Sequence, residues 1–260
     1  GVNVNLLQRP LYVLATADEE ITMAGARFFA QSQAVKPDVA IIGEPTSLVP
    51  VVMHKGHMSH RISIQGQSGH SSQPNKGINA IEIMYQVIGQ LIKLKEQLAL
   101  NYQNEAFDVP EPTLNFGAIK GGDNANRICG QCALDIDMRS LPGISDEELT
   151  NWLAESLKHL AEKFPGRISF AELHPSSPSF EQEKPSDLID FSEEISGHTC
   201  CAVNYATEAP FIQQLGCQTL VMGPGSINQA HQPDEFLPFS EISKTEKILM
   251  QLIQRYCIKS

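Results

Sequence analysis

Acidic side chains follow two apolar segments of the sequence, each at the point where the segment ends. Asp18-Glu19-Glu20 comes directly after the apolar run 11–17, and Glu44 follows the run 39–42. Runs of this kind are typical of strands buried on both faces of a parallel sheet, and ligands bind beyond the carboxyl ends of such strands. Carboxylates at two neighbouring strand ends could bind a metal ion or transfer protons. The alternative is that they are solvated turn residues or acids at a helix N-terminus.

Two histidines lie in polar loops. His231 stands in the segment 229–235, which follows an apolar run at 218–222 and has no apolar periodicity. A loop histidine in this position is a candidate metal ligand or catalytic group, and the alternative is a surface residue. His70 lies in the segment 66–72, where glycines let the backbone approach a ligand closely. Its spacing alone favours an ordinary turn histidine.

Two further polar segments could bind a substrate carboxylate or could be turns. Asn126 lies in the segment 123–127, and Arg139 opens the segment 139–143. Arg139 is the stronger candidate of the two, because the guanidinium fork matches a carboxylate in geometry.

Strands and helices alternate near both ends of the chain, and these elements must position the candidate residues. The predicted strands are 11–17, 39–42 and 218–222. Three helices are predicted: one begins after Thr22, one begins at Ser186, and the C-terminal one includes 248–256. Short buried strands separated by amphipathic helices predict an α/β domain with a largely parallel sheet.

Between these ends the pattern changes to strands that are apolar on one face only. The predicted strands are 61–65, 113–119, 132–139 and 167–172, and the predicted helices are 80–98 and 145–160. Two helices on a sheet with one buried face form a small two-layer α+β unit. We therefore expect an α/β domain over 1–55 and 174–260, interrupted by an α+β domain over 56–173.

The net charge and the length of the apolar runs exclude some classes of binding partner. The 260 residues carry 19 basic and 30 acidic side chains, for a formal net charge of −11, and no apolar run reaches the length of a membrane span. Nucleic acids and anionic membranes both need a basic face, so we expect neither as a partner. Six cysteines do not suggest a disulfide scaffold, and a reducing cytoplasm is the expected location.

The chain resembles the M20 metallopeptidase family from about residue 11 to its C-terminus. The motifs that carry the resemblance are Ala-Asp-Glu-Glu at 17–20, Gly-Glu-Pro-Thr at 43–46, Gly-His-Ser-Ser at 69–72, Asp-x-Arg-x-x-Pro-Gly at 137–143 and the block 223–235. The family includes deacetylases, desuccinylases, aminoacylases and carboxypeptidases. It implies an α/β fold in which an αβα catalytic domain with a mostly parallel sheet is interrupted by a two-layer α+β, ferredoxin-like lid or dimerisation domain.

The resemblance also implies roles for single residues. Glu19 would be the general base and acid, and His70 would polarise the scissile carbonyl, in relatives often from the partner subunit. Asn126 and Arg139 would contact the substrate. The metal ligands would be Glu20, Glu44 and His231, and the cofactor would be one or two Zn²⁺ or Co²⁺ ions per subunit.

The expected reaction is metal-dependent hydrolysis of the amide of N2-acetyl-L-ornithine to L-ornithine and acetate, a step of arginine biosynthesis, by a homodimer joined through the lid domain. The alternatives are a desuccinylase of N-succinyl-diaminopimelate, an aminoacylase, or a dimerisation module without catalysis.

One departure from the family pattern bears on activity. Family members carry a His-x-Asp motif and then a second Asp upstream of the Glu-Glu pair, and the sequence before Glu19 contains neither. From the resemblance we expect an incomplete catalytic domain, and little or no activity from this chain alone. A catalytic zinc has about three protein ligands, and the residues present would supply fewer for each metal.

Overall fold

The computed structural model describes residues 3–258 of the chain. The α-helices of this part are α1 (Ala24–Ser32), α2 (Ala80–Asn101), α3 (Asp146–Lys163), α4 (Asp187–Ser196), α5 (Ala209–Gln213) and α6 (Phe239–Ile253). The strands are β1 (Val39–Ile42), β2 (Val51–His54), β3 (His57–Gln65), β4 (Gly69–His70), β5 (Thr113–Gly121), β6 (Arg127–Ile128), β7 (Gln131–Arg139), β8 (Ile168–Ser177), β9 (Phe180–Glu181), β10 (Cys201–Val203) and β11 (Gln218–Val221). None of the helices within residues 3–258 is long and apolar enough to cross a bilayer.

The chain divides into two compact units. The inserted unit comprises Lys55–Ser179 and Asn204–Ala206, and the flanking unit comprises the chain up to His54, Phe180–Val203 and the chain from Thr207 onward. The sequence pattern predicts an insertion over 56–173. It does not predict that three residues after β10 belong to the inserted unit.

The flanking unit contains a mixed sheet in the order β1-β11-β2-β10, with β9 paired to β2. The longer ladders are parallel: β1 pairs with β11 over four residue pairs, and β10 pairs with β2 over three. The antiparallel ladders are short, with one residue pair between β11 and β2 and two between β2 and β9. The expected mostly parallel sheet is therefore observed, with antiparallel pairing around β2.

Helices cover both faces of this sheet. Val39 and Ile41 of β1 pack in one apolar cluster, and Ala40 and Ile42 of the same strand pack in another. The first cluster is formed with α4 and α6 through Leu188, Ile189, Ile248 and Leu252, and the second with α1 and α5 through Ala26, Ala30, Phe211 and Ile212. Because successive side chains of a strand point to opposite faces, this alternation defines an αβα sandwich.

The strand predicted over 11–17 is wrong. This segment forms no strand in the structure, and Val13 within it is 94% exposed. A strand with two apolar faces is stable only when neighbouring strands satisfy its backbone groups and helices cover its side chains. Among residues 3–258 no strand pairs with the segment, so it lacks the ladder partners that a strand requires.

The inserted unit has the order β3-α2-β5-β7-α3-β8 along the chain and the antiparallel sheet order β5-β7-β3-β8 in space. This is the ferredoxin-like βαββαβ arrangement, as expected. Both helices begin at side-chain caps: Asn79 accepts from Ile81 N, and Ser145 and Glu148 form a reciprocal capping box. One stripe of each helix is buried against the sheet, so the capped helices form the second layer of the unit.

Candidate active site

Two loops that follow neighbouring parallel strands are hydrogen-bonded to each other. After β1, the backbone N–H groups of Thr46 and Leu48 donate to the carbonyl of Gly223, at 3.3 and 2.9 Å. Ser47 N donates to the carbonyl of Gly225 at 2.6 Å. Because β1 and β11 are parallel, their carboxyl ends meet at the same edge of the sheet. The bonds therefore hold the Glu44 loop and the loop leading to His231 together at that edge.

Gly223 makes this contact possible. A Cβ atom at this position would lie 2.6 Å from the carbonyl oxygen of Glu44 and 2.8 Å from backbone atoms of Gly43. These are backbone atoms that cannot swing away, so only glycine fits without moving the Glu44 loop. Gly43, in contrast, has no atom within 4 Å of where its Cβ would lie.

A tight turn before α1 presents the two adjacent glutamates. The N–H groups of Thr22 and Met23 both donate to the carbonyl of Asp18, at 3.2 and 2.7 Å, and the Thr22 hydroxyl donates to the Asp18 carboxylate. Asp18 has φ +63°, a left-handed conformation that aspartate tolerates better than most residues. Glu19 and Glu20 lie at the tip of this turn.

Four glutamates of the flanking unit lie close enough for their carboxylates to repel one another: Glu19, Glu20, Glu44 and Glu208. The pKa of Glu44 is raised from 4.5 to about 7, first by burial and next by the negative charge of Glu19. Glu208 and Glu20 act on the Glu44 pKa in the same direction. Burial also raises the pKa of Glu19; Glu20 adds to this shift, and His231 opposes it. A half-buried carboxyl with a raised pKa is suited to accept and return a proton near neutral pH.

Of the predicted metal ligands, Glu20 and His231 are in direct contact. His231 Nε2 lies 3.0 Å from Glu20 Oε2, and both side chains are exposed. Glu20 and His231 are therefore in contact. Glu44 lies near enough to Glu19 and Glu20 for their negative charges to raise its pKa.

Glu208 is a site residue that the sequence reasoning missed. It is 9% exposed, Oε2 accepts a 2.8 Å hydrogen bond from the Thr16 hydroxyl, and Oε1 has no hydrogen-bond partner within residues 3–258. Its charge raises the pKa of both Glu19 and Glu44. A signal was available in the sequence, because Glu208 is the one acidic residue of the segment Thr-Glu-Ala-Pro at 207–210, whose other residues are small or apolar.

The donor chemistry of this edge fits a divalent cation. Carboxylate oxygens and an imidazole nitrogen are the ligand types that Zn²⁺ takes in catalytic sites. A cation would also offset the mutual repulsion of the carboxylates, which is visible in the raised pKa of Glu44. Within residues 3–258, however, no three His, Cys, Asp or Glu side chains are already arranged to bind a metal ion. The described residues therefore supply suitable donors but not a closed coordination shell.

In the inserted unit, His70 and Asn126 are held near each other. His70 of β4 pairs with Arg127 of β6, and Ser71 N donates to the Asn126 carbonyl at 3.1 Å. Both side chains are exposed. This polar cluster lies shortly before the start of β7.

Arg139 lies at the other end of β7. The eight residue steps from Gln131 to Arg139 correspond to about 27 Å of extended strand. Within one chain the inserted unit therefore brings Asn126 to His70, but it places Arg139 far from both. Asp137 of the same strand contacts the Arg139 guanidinium, with Nε 2.9 Å from Oδ1.

Comparison with protein families finds a match to the M20 peptidase dimerisation domain over residues 52–165. Among curated proteins, the chain is 52% identical over 259 residues to the acetylornithine deacetylase of Photorhabdus laumondii, covering 100% of this chain and 67% of that protein. It is 53% identical over 256 residues to the acetylornithine deacetylase of Klebsiella pneumoniae, covering 98% of this chain and 67% of that protein. The chain thus spans about two thirds of the length of these curated relatives.

Solved structures share the fold at low identity. A tripeptidase from Staphylococcus aureus matches with a TM-score of 0.68 and 17% identity, covering 90% of this chain and 61% of that one. The aminopeptidase PepT from Bacillus cereus matches with a TM-score of 0.69 and 20% identity, covering 93% of this chain and 63% of that one. The chain spans less than two thirds of either solved structure, and at these identities the likeness concerns the fold alone.

Proposed function

The chain belongs to the M20 peptidase family, and from that membership we propose that it acts in the metal-dependent hydrolysis of N2-acetyl-L-ornithine to L-ornithine and acetate. The choice of substrate is supported by identity of just over half to two curated acetylornithine deacetylases along essentially the whole chain. The observation that carries the chemistry is the half-buried Glu19, whose pKa is raised among other carboxylates at the carboxyl edge of the flanking sheet.

Glu19 is the residue we propose to move the proton. Hydrolysis adds water across the amide: the water oxygen bonds to the acetyl carbon, and the carbon–nitrogen bond breaks. Glu19 accepts the proton that the attacking water loses and delivers it to the departing α-amine, so that acetate and ornithine leave. A carboxyl whose pKa is raised by burial can do both near neutral pH.

We propose that Glu20, Glu44 and His231 bind the cofactor, Zn²⁺ or Co²⁺, one or two ions per subunit. When bound, such an ion supplies Lewis-acid polarisation of the acetyl carbonyl. The chain's own contribution is placement: the Gly223 contact fixes the Glu44 loop, and the Asp18 turn fixes Glu20. His70 is proposed to polarise the carbonyl, and Asn126 and Arg139 are proposed to contact the substrate.

The activity is tested with Glu19→Gln in the natural protein that carries this sequence. Turnover of N2-acetyl-L-ornithine should fall at least about 100-fold, because a positioned acid–base group contributes at least that much. Metal content should stay at the wild-type level. Glu246→Gln, an exposed glutamate of α6, is the matched control and should leave turnover unchanged.

Three outcomes would contradict parts of the proposal. Turnover retained by Glu19→Gln would refute the base assignment. A higher kcat/KM on N-succinyl-diaminopimelate than on acetylornithine would identify a desuccinylase. A wild-type protein that binds metal but hydrolyses neither these two substrates nor other N-acetylated amino acids would leave a dimerisation module as the function, whereas turnover of the latter alone would identify an aminoacylase.

We further propose a homodimer through the inserted unit. Exposed apolar side chains lie on α2 and on the edge strand β5: Tyr85 is 78% exposed and Ile119 is 57% exposed. Ile81 of α2 lies near Gly122, the residue after β5, where a Cβ would come within 3.6 Å of Ile81 Cδ1. An exposed apolar edge strand is normally covered. In addition, His70 of β4 pairs with β6, which precedes β7, whereas Arg139 is the last residue of β7, so both could serve one substrate molecule if a second copy supplied one of them.

Sedimentation velocity tests the dimer. Ile119→Lys places a charge on the proposed interface and should convert a dimer to a monomer. Leu100→Lys, at the other end of α2 and 82% exposed, is the control and should remain a dimer. A monomeric wild type, or an Ile119→Lys variant that dimerises like wild type, would refute the proposed interface.

A further inference from the structure

One carboxylate of the inserted unit clamps two basic side chains. Asp137 Oδ1 accepts from Arg139 Nε at 2.9 Å, and Oδ2 accepts from Arg139 Nη2 at 3.3 Å. Oδ2 also lies 2.7 Å from His57 Nε2. Met58 pairs with Met138 in the antiparallel ladder of β3 and β7, so His57 lies across from Arg139. Asp137 and Arg139, two residues apart on β7, share a face of the sheet.

The two hydrogen bonds to Asp137 determine which N–H groups of the Arg139 guanidinium can still bind another group. A guanidinium has five N–H groups in a rigid plane. Asp137 takes the Nε–H and one Nη2–H, which form one side of that plane. Within the part of the chain that the structure describes, the other Nη2–H and both Nη1–H groups make no hydrogen bond, and they form the outer end of the fork. That end can bind a second carboxylate with two parallel hydrogen bonds.

We infer that Asp137, held by His57, is a positioning residue that aims the outer end of Arg139 at the α-carboxylate of the substrate. This inference rests on the proposed function, which makes the substrate an N-acylated amino acid. Asp137 does not touch the substrate itself. It restricts a long side chain to one orientation, so less side-chain entropy is lost when the carboxylate binds.

The surroundings of Asp137 favour this role over a simple surface ion pair. All three side chains are about 30% exposed. The residues opposite Asp137 on the two neighbouring strands are Ser59 and Asn115, which are uncharged. Burial alone would raise the pKa of Asp137, yet hydrogen bonding from His57 and the charge of Arg139 bring it below its usual value. The carboxylate therefore stays charged and keeps its hold on Arg139.

The same strand offers a matched control. Arg61 binds Asp135 in the same side-on manner, with Nε 2.6 Å from Oδ1 and Nη2 2.7 Å from Oδ2. Asp135 lies two residues before Asp137 on β7, so it shares the same face. Asp135→Asn thus removes an equivalent ion pair without affecting the clamp on Arg139.

The test compares two substrates that differ only in the carboxylate: N2-acetyl-L-ornithine and N-acetylputrescine. Asp137→Asn should raise KM for acetylornithine about tenfold, the loss expected for one charge-assisted hydrogen bond, with kcat nearly unchanged. KM for N-acetylputrescine should not change, and Asp135→Asn should change neither value. Equal losses on both substrates, or no loss in Asp137→Asn, would overturn the inference. His57→Gln should show a smaller shift of the same kind.

A second measurement separates this inference from the proposed function. In ¹⁵N-labelled protein, the Arg139 Nε–Hε signal, assigned by its disappearance in Arg139→Lys, should shift in Asp137→Asn and stay in place in Asp135→Asn. An unchanged signal in Asp137→Asn would overturn the clamp whether or not the protein hydrolyses acetylornithine. If the signal shifts but neither substrate is turned over, the proposed function fails and the clamp stands.

Discussion

Replacing Glu44 by glutamine should stabilise the metal-free chain, and by an amount that depends on pH. In the folded state the Glu44 pKa is about 7, raised from 4.5 by burial and by neighbouring carboxylates. The unfolded chain has neither influence. Ionised Glu44 is therefore less favourable in the folded protein than in the unfolded one, whereas glutamine has a similar shape and no charge.

The magnitude follows from the two pKa values. At about 1.4 kcal/mol for each pKa unit, the difference between about 7 and 4.5 amounts to about 3 kcal/mol. Because the folded pKa is the higher one, the destabilisation is absent below about pH 4.5, develops between the two pKa values and is complete above pH 7. Burial raises the Glu19 pKa as well, so the wild type should lose further stability in the same direction.

The assay is urea denaturation of the 260-residue chain in EDTA at pH 5 and pH 8. Glu44→Gln should exceed the wild type by about 3 kcal/mol in free energy of unfolding at pH 8 and by less than about 1 kcal/mol at pH 5. The exposed control Glu246→Gln should stay within about 0.5 kcal/mol of wild type at both. A difference that is the same at both pH values, or a variant less stable than wild type at pH 8, would refute the reasoning.

Two further predictions concern single contacts. Gly223→Ala should destabilise the chain by at least about 2 kcal/mol, because its Cβ would lie within 2.8 Å of the backbone of the loop after β1; Gly43→Ala is the control and should lie within about 0.5 kcal/mol of wild type in urea denaturation. Tyr256→Phe should lower the free energy of unfolding by about 1 kcal/mol, because the Tyr256 hydroxyl donates to Asp187 Oδ2 at 2.9 Å. A Tyr256→Phe variant with wild-type stability would show that water replaces this hydrogen bond without loss.

Local patterns in the sequence predicted the elements with strong periodicity. The helices predicted over 80–98 and 145–160 and the alternation along β7 each appear where expected. These features depend on interactions between residues a few positions apart. The segment 11–17 has an equally clear apolar pattern and forms no strand, because a strand depends on distant residues that pair with it. Apolarity in one segment does not specify those partners.

For the candidate site, the sequence by itself determined where the candidate residues lie along the chain: Glu19 and Glu20 before α1, Glu44 after β1 and His231 after β11. Side-chain type and position along an element are local properties. Only the tertiary structure decided which groups act on one another. It buried Glu208 close to the other carboxylates and raised the Glu44 pKa to about 7. It also brought the Asp137 carboxylate into hydrogen-bond contact with the Arg139 guanidinium. Charge, burial and hydrogen-bond geometry act through space, so they exist only once distant segments have packed together.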